Sequence, residues 1–573
     1  MNEHPDKNHA GISRRNLLRL TGASLGGFAA TGSALGGPGG LLGGFGRLPR
    51  QRPSVGVGNC YPTWFRTDKY SYLQQLKPIT PWGKDYYGRL TGTKLKADEM
   101  RITFMGSAVP MPRRAQAEMS IFVEVGWDDA RQQPLDQFVF DLGCGVSANY
   151  QACGVGFGRM NKVFITHLHG DHVTDLVHVY GFGDGGDRKT PLYVFGQGNS
   201  NVPNPGQAPP VPDPANPQPN NYAAGPPKYD DGVVAFCSYL REALRWHTES
   251  QAFQGSADAN HPDPATLQAQ WGLPVLPVPV GDDPANDANA MIPVELDWSK
   301  TGLDAEGRPT GDNIAYDNTD TGARILHYPV IHCRQGSMGY KLEWTPPGAS
   351  KPLTLIYSSD TKPEWNSINH AINRDEAGTP RGVDVFIHEM AVAPEIWAMK
   401  HMGLNQPGDP EDPYWNAVLD AMVSVQNSSH TPQGAFGYIL SQINRIKRPR
   451  LAVATHFPTA DDTVACALNS VHAHCPEITR NGGQLVWSFD LMVLRVFPDR
   501  IEQRRAVADD FSFNPPIPAS EAAQWNLYAP KYHDKTGAAN PLFQIKPLDD
   551  AYGIPSTEDG GYNGEDTFRK DGY

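Results

Sequence analysis

The sequence predicts an α/β layered fold, and three observations predict it. Short β-branched or aromatic runs recur through the middle of the chain, helical patterns lie between several of them, and 39% hydrophobic content in 573 residues is enough to bury a substantial core. The runs are RITFMGSAVP, FVFDLG, KVFITHLHGDH, LHYPVIH, LTLIYSSDT, DVFIHEM and RLAVATHFP, each read as a buried strand that delivers a polar group at its end. The helical patterns are VTDLVHVYGF, VVAFCSYLREALRWH and GAFGYILSQINRI. Alternation of the two gathers the polar loops along one edge of the sheets, and that edge is where a site belongs.

Taken in chain order, residues 1–50 open with Ser13-Arg14-Arg15-Asn16-Leu17-Leu18 ahead of a mildly apolar Gly/Ala-rich stretch. This resembles a bacterial twin-arginine export signal followed by a Gly-rich linker, and it implies a periplasmic or secreted protein that meets the twin-arginine translocase during export. The stretch is too interrupted by Gly, Thr and Ser for a stable membrane span. Residues 51–98 are polar and aromatic and read as an extended arm. The periodic core occupies 99–507, with a long insertion at about 199–323 that reads as one helix near Val233–His247 between two Pro-rich loops. Residues 508–573 read as a surface tail anchored by aromatics such as Trp525 and Tyr528.

Charge narrows the choice of partner. The chain carries 62 acidic against 49 basic side chains, a net −13, so no overall basic field attracts a phosphate backbone. From Gln251 to Asp320 there are 12 Asp and Glu against only Lys300 and Arg308, so the insertion is no basic clamp. These balances point to a small-molecule substrate rather than nucleic acid. The seven cysteines contain no CxxC pair, which removes a zinc-ribbon reading.

The chemistry is concentrated in Thr166–Thr174, THLHGDHVT. In extended backbone alternate side chains point the same way, so His167, His169 and Asp171 converge while His172 turns to the other side as a helix begins. Imidazole and carboxylate are the ligands that zinc and similar borderline cations take, and two neighbouring cations fit such a loop. His332 in VIHCRQGSMGY, Asp360 in YSSDT and His456 in ATHFP also follow apolar strands and supply further ligands.

These segments together resemble a metallo-β-lactamase-fold hydrolase of the ribonuclease Z and arylsulfatase-like branch. MRITFMGSAVPMPRRAQ is similar to the opening strand and loop of that branch and FDLGCG to its Asp-x-Gly strand end. YSSDTKP, IHEMA and SSHTPQGA resemble its YSGDT, HEAT and His-Ser/Thr segments. The run GDRKTPLYVFG is also similar to metallo-hydrolases named for guanitoxin biosynthesis. The resemblance implies a four-layer αββα sandwich and two zinc ions, with other divalent transition metals possible. One ion would be held by His167, His169 and His332, the second by Asp171, His172 and His456, with Asp360 bridging and Asp141 orienting ligands from behind. Asp171, His430 and Glu389 are the catalytic candidates, His430 as general acid and Glu389 as its orienting partner, while His388 faces the interior.

The implied chemistry is attack by a metal-bridging hydroxide on a small ester, most of all a phosphodiester or an aryl sulfate. Lactone or β-lactam hydrolysis, tRNA 3′ processing and a metal-binding module without turnover are the alternatives.

Overall fold

The computed structural model describes residues 77–79, 93–110, 112–114, 116–204, 228–251, 257–311, 313–404, 406–457, 464–477 and 485–508. The expected export signal, most of the arm, and the tail with Trp525 and Tyr528 lie outside these residues.

Two sheets carry the fold. The first has nine strands in the order Pro78–Ile79, Ile501–Ala506, Met492–Val496, Met100–Gly106, Ser120–Val125, Asp136–Phe140, Lys162–Phe164, Leu192–Gln197 and Met291–Leu296. The second has seven, in the order Ile314–Asn318, Ala323–Pro329, Met338–Trp344, Leu353–Tyr357, Val385–Glu389, Leu451–Thr455 and Leu485–Trp487. The last four strands of each sheet run parallel.

Both faces of each sheet are covered. Alternation sends Ile102, Phe104, Phe140 and Phe164 inward against Ile325, Tyr340, Tyr357 and Val453 of the other sheet, forming the central core. The alternate residues Phe122, Val139, Val163 and Val194 face outward and pack with the helices Val146–Ala152, Leu176–Gly183 and Val233–Gln251. On the far side, Ile356, Phe386, Ala452 and Ala454 pack with Trp365–Ile372, Gln433–Asn444 and Val464–His474. The result is helix, sheet, sheet, helix, the four-layer αββα sandwich that the resemblance implied. A side pair of helices, Pro394–Met402 and Pro413–Ser429, has a small core of its own around Ala398, Trp415, Val418 and Met422.

The insertion differs from the reading of one helix between two loops. Its helix runs four residues further, to Gln251, and a second helix, Pro264–Gln270, follows. Met291–Leu296 is a strand at the edge of the first sheet, and Ile314–Asn318 is a strand at the edge of the second. Pro293 hides the former in the sequence, yet proline is tolerated where one side of a strand is unpaired. The insertion is also tied into the core. Tyr316 donates from its hydroxyl to Asp136 at 2.7 Å, and the same carboxylate pairs with buried Lys162.

Among the described residues no helix is long and apolar enough to cross a membrane.

Candidate metal centre

The parallel strands deliver polar residues at their carboxyl ends, the usual place for a site in open α/β sheets. Asp136–Phe140 leads into Asp141, and Lys162–Phe164 into His167. From the second sheet Leu353–Tyr357 leads to Asp360, Val385–Glu389 ends in Glu389, and Leu451–Thr455 leads to His456. Because the two sheets are packed face to face, these ends meet. Tyr340 donates to the Ile165 carbonyl at 2.7 Å and Met338 N–H to the Thr166 carbonyl at 2.9 Å, which fixes the HxHxDH loop to the second sheet.

Close backbone contact shapes the loop. Gly143 lies so near the loop that a Cβ there would stand 2.2 Å from the Asp171 carbonyl oxygen, which no side chain permits. Asp141, Ser359 and His456 are non-glycine residues with φ of 57°, 57° and 51°, in the left-handed region that costs such residues about 1 kcal/mol or more. All three lie at strand ends that face the cluster, so the strain falls where side chains are being aimed.

The side chains gather in two adjacent sets. His167, His169 and His332 bring one nitrogen each to a common point, and Asp171, His172, Asp360 and His456 do the same beside them, all atoms of a set lying within 4.8 Å of one another. His332 Nδ1 donates to the Ser429 carbonyl at 2.7 Å, so its Nε2 carries the lone pair, and that atom faces His169 Nδ1 at 3.0 Å. His172 Nδ1 donates to Asp141 at 2.8 Å, which turns its Nε2 towards Asp171 and Asp360, each 3.4 Å away. His456 Nε2 lies 3.1 Å from Asp171 and 3.4 Å from Asp360.

These residues fit divalent cations. His167 Nε2, His172 Nε2 and Asp360 Oδ1 are buried yet have no hydrogen-bond partner among the described residues. Three unpartnered polar atoms converging in one buried place cost several kcal/mol in all unless an ion satisfies them. The donor set, imidazole and carboxylate, is what zinc and its neighbours accept.

Electrostatics separates the two sets. Burial, reinforced by the neighbouring imidazoles, holds His167 well below the ordinary histidine range, holds His169 below it, and pushes His332 down to about 4. These three present neutral nitrogens at pH 7. In the second set burial works against charge, but Asp360 and Asp171 overcome it and raise His172 and His456. The same pairs hold Asp171 and Asp360 below the usual carboxylate range despite their burial. A metal-free chain therefore carries protons in the second set where a cation would replace them.

Behind the ligands stands Asp141. It accepts from Thr166 N–H at 2.8 Å, from the Thr166 hydroxyl, from His172 Nδ1–H and from the Tyr357 hydroxyl at 2.8 Å. Beside the second set Glu389 accepts from His430 Nδ1–H at 3.0 Å and from Thr361 N–H, and His456 Nδ1 lies 3.9 Å away. Burial opposes a charge on His430, but Glu389 and Asp360 raise it to about 9. The His430 ring stands 5.0 Å from that of His332 and 5.8 Å from that of His456. His388 is buried, donates to the Glu389 carbonyl at 2.7 Å and packs against Phe386 and Phe436, as its interior assignment requires.

Every ligand named from the sequence thus lies in one of the two sets, and His430 and Glu389 lie beside them. Sequence reasoning missed the supports Thr166, Ser359, Tyr357 and Thr361. Hydroxyl residues beside His167 and on both sides of Asp360, in ITH and SSDT, were the available signal for three of these; Tyr357 carried none.

The insertion reaches this mouth. Arg334, on the His332 loop, pairs with Asp231 and lies over the Tyr229 ring at 5.3 Å, and Trp298 Nε1 donates to the Asn199 carbonyl at 3.4 Å. His169 is exposed, so the cluster is open to solvent on that side.

No family model matches the chain. Its sequence is similar to curated ribonuclease Z proteins. The match to that of Natronomonas pharaonis is 32% identical over 96 residues, 17% of this chain and 28% of the relative. To that of Halorubrum lacusprofundi it is 34% over 98 residues, with the same coverage. A ribonuclease BN of Proteus mirabilis matches at 30% over 99 residues, covering 17% of this chain and 30% of the relative. The chain thus spans less than a third of the length of these relatives. Among solved structures, a metallo-β-lactamase-fold protein from Bacillus subtilis aligns with TM-score 0.35 at 12% identity, covering 70% of this chain and all of the other. The short form of human tRNase Z aligns with TM-score 0.32 at 12% identity, covering 70% and 99%.

Proposed function

From a chain with the metallo-β-lactamase fold whose curated relatives are ribonucleases Z and BN, we propose a metal-dependent hydrolase of ester bonds that holds two zinc ions and acts on a small anionic ester, a phosphodiester or an aryl sulfate. The observation that carries this reading is the convergence of seven ligand side chains into two adjacent sets, with His430 and Glu389 beside them. Two bound divalent cations would supply an activated water at neutral pH and neutralise charge developing on the substrate.

The chain's own residues do the rest. His167, His169 and His332 would hold one ion as neutral imidazoles, and Asp171, His172 and His456 the other, with Asp360, gathered with the second set, as the carboxylate the two would share. Asp141 keeps the His172 proton on Nδ1, so that Nε2 remains a ligand. The Asp171 carboxylate also offers an acceptor for a proton of the attacking water. His430, kept cationic by Glu389, is the acid for the departing oxygen: its Nδ1–H is committed to Glu389, which leaves Nε2 to meet the substrate.

Two features support a small substrate. The segment 251–320 has 12 acidic residues against two basic ones, and the chain's net charge is −13, a balance that repels a polyanion far more than a singly charged ester. Export by the twin-arginine route, which removes the protein from precursor tRNA, belongs to the same reading. Ribonuclease activity is the second reading, favoured by the relatives' names. The metal-loaded protein should turn over bis-p-nitrophenyl phosphate or p-nitrophenyl sulfate, leave nitrocefin intact and not trim a precursor tRNA. Site-specific removal of a 3′ trailer would replace the first reading with the second; inertness towards both chromogenic esters would remove the first.

A further inference from the structure

A second cleft, of about 770 Å³, lies at the opposite end of the second sheet from the metal cluster. Its walls are the residues just before Leu353–Tyr357, Val385–Glu389 and Leu451–Thr455, the strands whose carboxyl ends lead to Asp360, Glu389 and His456. It is therefore no part of the site described above.

Its charge is opposite to that of the protein. Lys351, Arg381, Lys447, Arg448 and Arg450 line it, against the carboxylates of Asp98 and Asp384. That is five cations and two anions, an excess of three positive charges in a chain of net −13. Two of the cations are already used: Arg450 pairs with Asp384 at 2.7 Å, and Arg381 with Asp375 at 3.2 Å. Lys351, Lys447 and Arg448 form no ion pair among the described residues and are exposed.

The walls are also held in place. Arg450 donates to the Phe497 carbonyl at 2.8 Å, and its N–H donates to the Val383 carbonyl at 3.0 Å. Gly382, with φ of 75°, lies under the Lys447 stem, where a Cβ would come within 2.8 Å of Lys447 Cγ. Asn373 ties the two sides, receiving Lys341 Nζ at 2.8 Å and donating to the Gly382 carbonyl at 2.9 Å. Three cations that form no ion pair among the described residues line one volume of small-molecule size, which suits a compact ligand with several negative charges.

We propose that this cleft binds a small phosphate-bearing ligand with at least two phosphate groups. The phosphates lie against Lys351, Lys447 and Arg448, and the apolar edge formed by Pro346, Pro352 and Pro498 faces whatever the phosphates are attached to. Free pyrophosphate and a nucleoside diphosphate share this chemistry and differ only in that second contact.

The test is calorimetric titration of the metal-loaded, full-length protein with inorganic pyrophosphate and with ADP, beside the variant Lys351→Ala/Lys447→Ala/Arg448→Ala. The three positions are exposed, so the variant should keep its metal content, thermal midpoint and ester turnover. Wild type should show a binding event that the variant lacks or makes about tenfold weaker or more, and that weakens with added salt. Tighter binding of ADP than of pyrophosphate at this event would identify a nucleotide ligand, and equal binding the free anion. Identical isotherms for wild type and variant would overturn the assignment, since the ligand would then sit only at the metals. A variant that loses affinity for an RNA oligonucleotide while its pyrophosphate and ADP isotherms stay unchanged would overturn it too, in favour of a nucleic-acid surface. Should the triple variant lose thermal stability, the single Lys447→Glu reversal must still weaken the event.

Discussion

Replacing Asp141 by asparagine tests how the metal centre is held without touching a ligand. The change is nearly isosteric, and asparagine tolerates φ of 57° as well as aspartate does, so the backbone has no reason to move. The wild-type carboxylate accepts Thr166 N–H at Oδ1 at 2.8 Å and the Thr166 hydroxyl between its two oxygens at 3.0 and 2.8 Å, while His172 Nδ1–H and the Tyr357 hydroxyl both reach Oδ2 at 2.8 Å. With the amide oxygen kept at Thr166, the new NH₂ group faces two donors. His172 must then either lose this bond or move its proton to Nε2, the atom that faces Asp171 and Asp360. Losing a buried hydrogen bond to a charged group costs about 1.5–3 kcal/mol, the range expected for a 10- to 100-fold loss of metal affinity. Competition with a chromophoric chelator reads this directly. One of the two equivalents should weaken by that factor while the other, at His167, His169 and His332, changes little. Tyr357→Phe, which removes a donor but leaves His172 as it is, should have a smaller effect. Equal affinities for both ions in wild type and Asp141→Asn would refute the claim that this carboxylate fixes the His172 tautomer.

Three further outcomes follow from the same geometry. Glu389→Gln removes the main group raising His430, so the alkaline limb of the pH–rate profile should move to lower pH by about a unit or more; bound cations also lower this limb, but in both proteins alike, and an unmoved limb would take the acid role from His430. Gly143→Ala should shift the Asp171 carbonyl and lower metal occupancy along with the thermal midpoint, whereas Gly348→Ala, with nothing within 4 Å of its Cβ, should leave metal content as it is. Burial pushes His388 down to about 4 against about 6.5 in an unfolded chain, so its contribution is complete above pH 6.5 and is lost as pH falls through 4, roughly 3 kcal/mol over that window. Urea titrations of wild type and His388→Leu at several pH values should therefore show a flatter acid dependence in the variant.

Much of the candidate metal centre was legible because several of its residues come within a few positions of the end of an apolar run. A parallel strand that ends in histidine or aspartate advertises itself, and parallel pairing then brings all such ends to one edge. That holds for His167, Asp360 and His456. Elements whose pattern is mixed were harder to read. Met338–Trp344, MGYKLEW, carries Lys341 and Glu343 in a central strand, and buried Lys341 is satisfied by Glu343 at 2.6 Å and Asn373 at 2.8 Å. Pro394 and Pro413 look like interruptions in sequence but stand at the first turns of their helices, where a missing N–H costs nothing.

His430 is the informative exception. No strand leads to it. It follows the helix Pro413–Ser429, and the bonds from Ala391 N–H to the Thr431 carbonyl at 2.8 Å and from the Thr431 hydroxyl to the Thr361 carbonyl at 2.6 Å bring it to the cluster. Its residue type and spacing carry no local signal, so only the resemblance of SSHTPQGA to a known segment pointed to it. The ligands, by contrast, rest on the central two-sheet core, while the helix before His430 packs into a separate small core around Trp415. The platform for the ions and the platform for the acid are thus different parts of the molecule, joined at Glu389, at Thr431 and at the bond from His332 to the Ser429 carbonyl. Changes in the helical pair can therefore alter the placement of the acid and, through the Ser429 carbonyl, that of His332, while the ligands carried by the strand ends stay in place; substrates whose leaving groups need no proton would be the ones least affected by the acid's displacement.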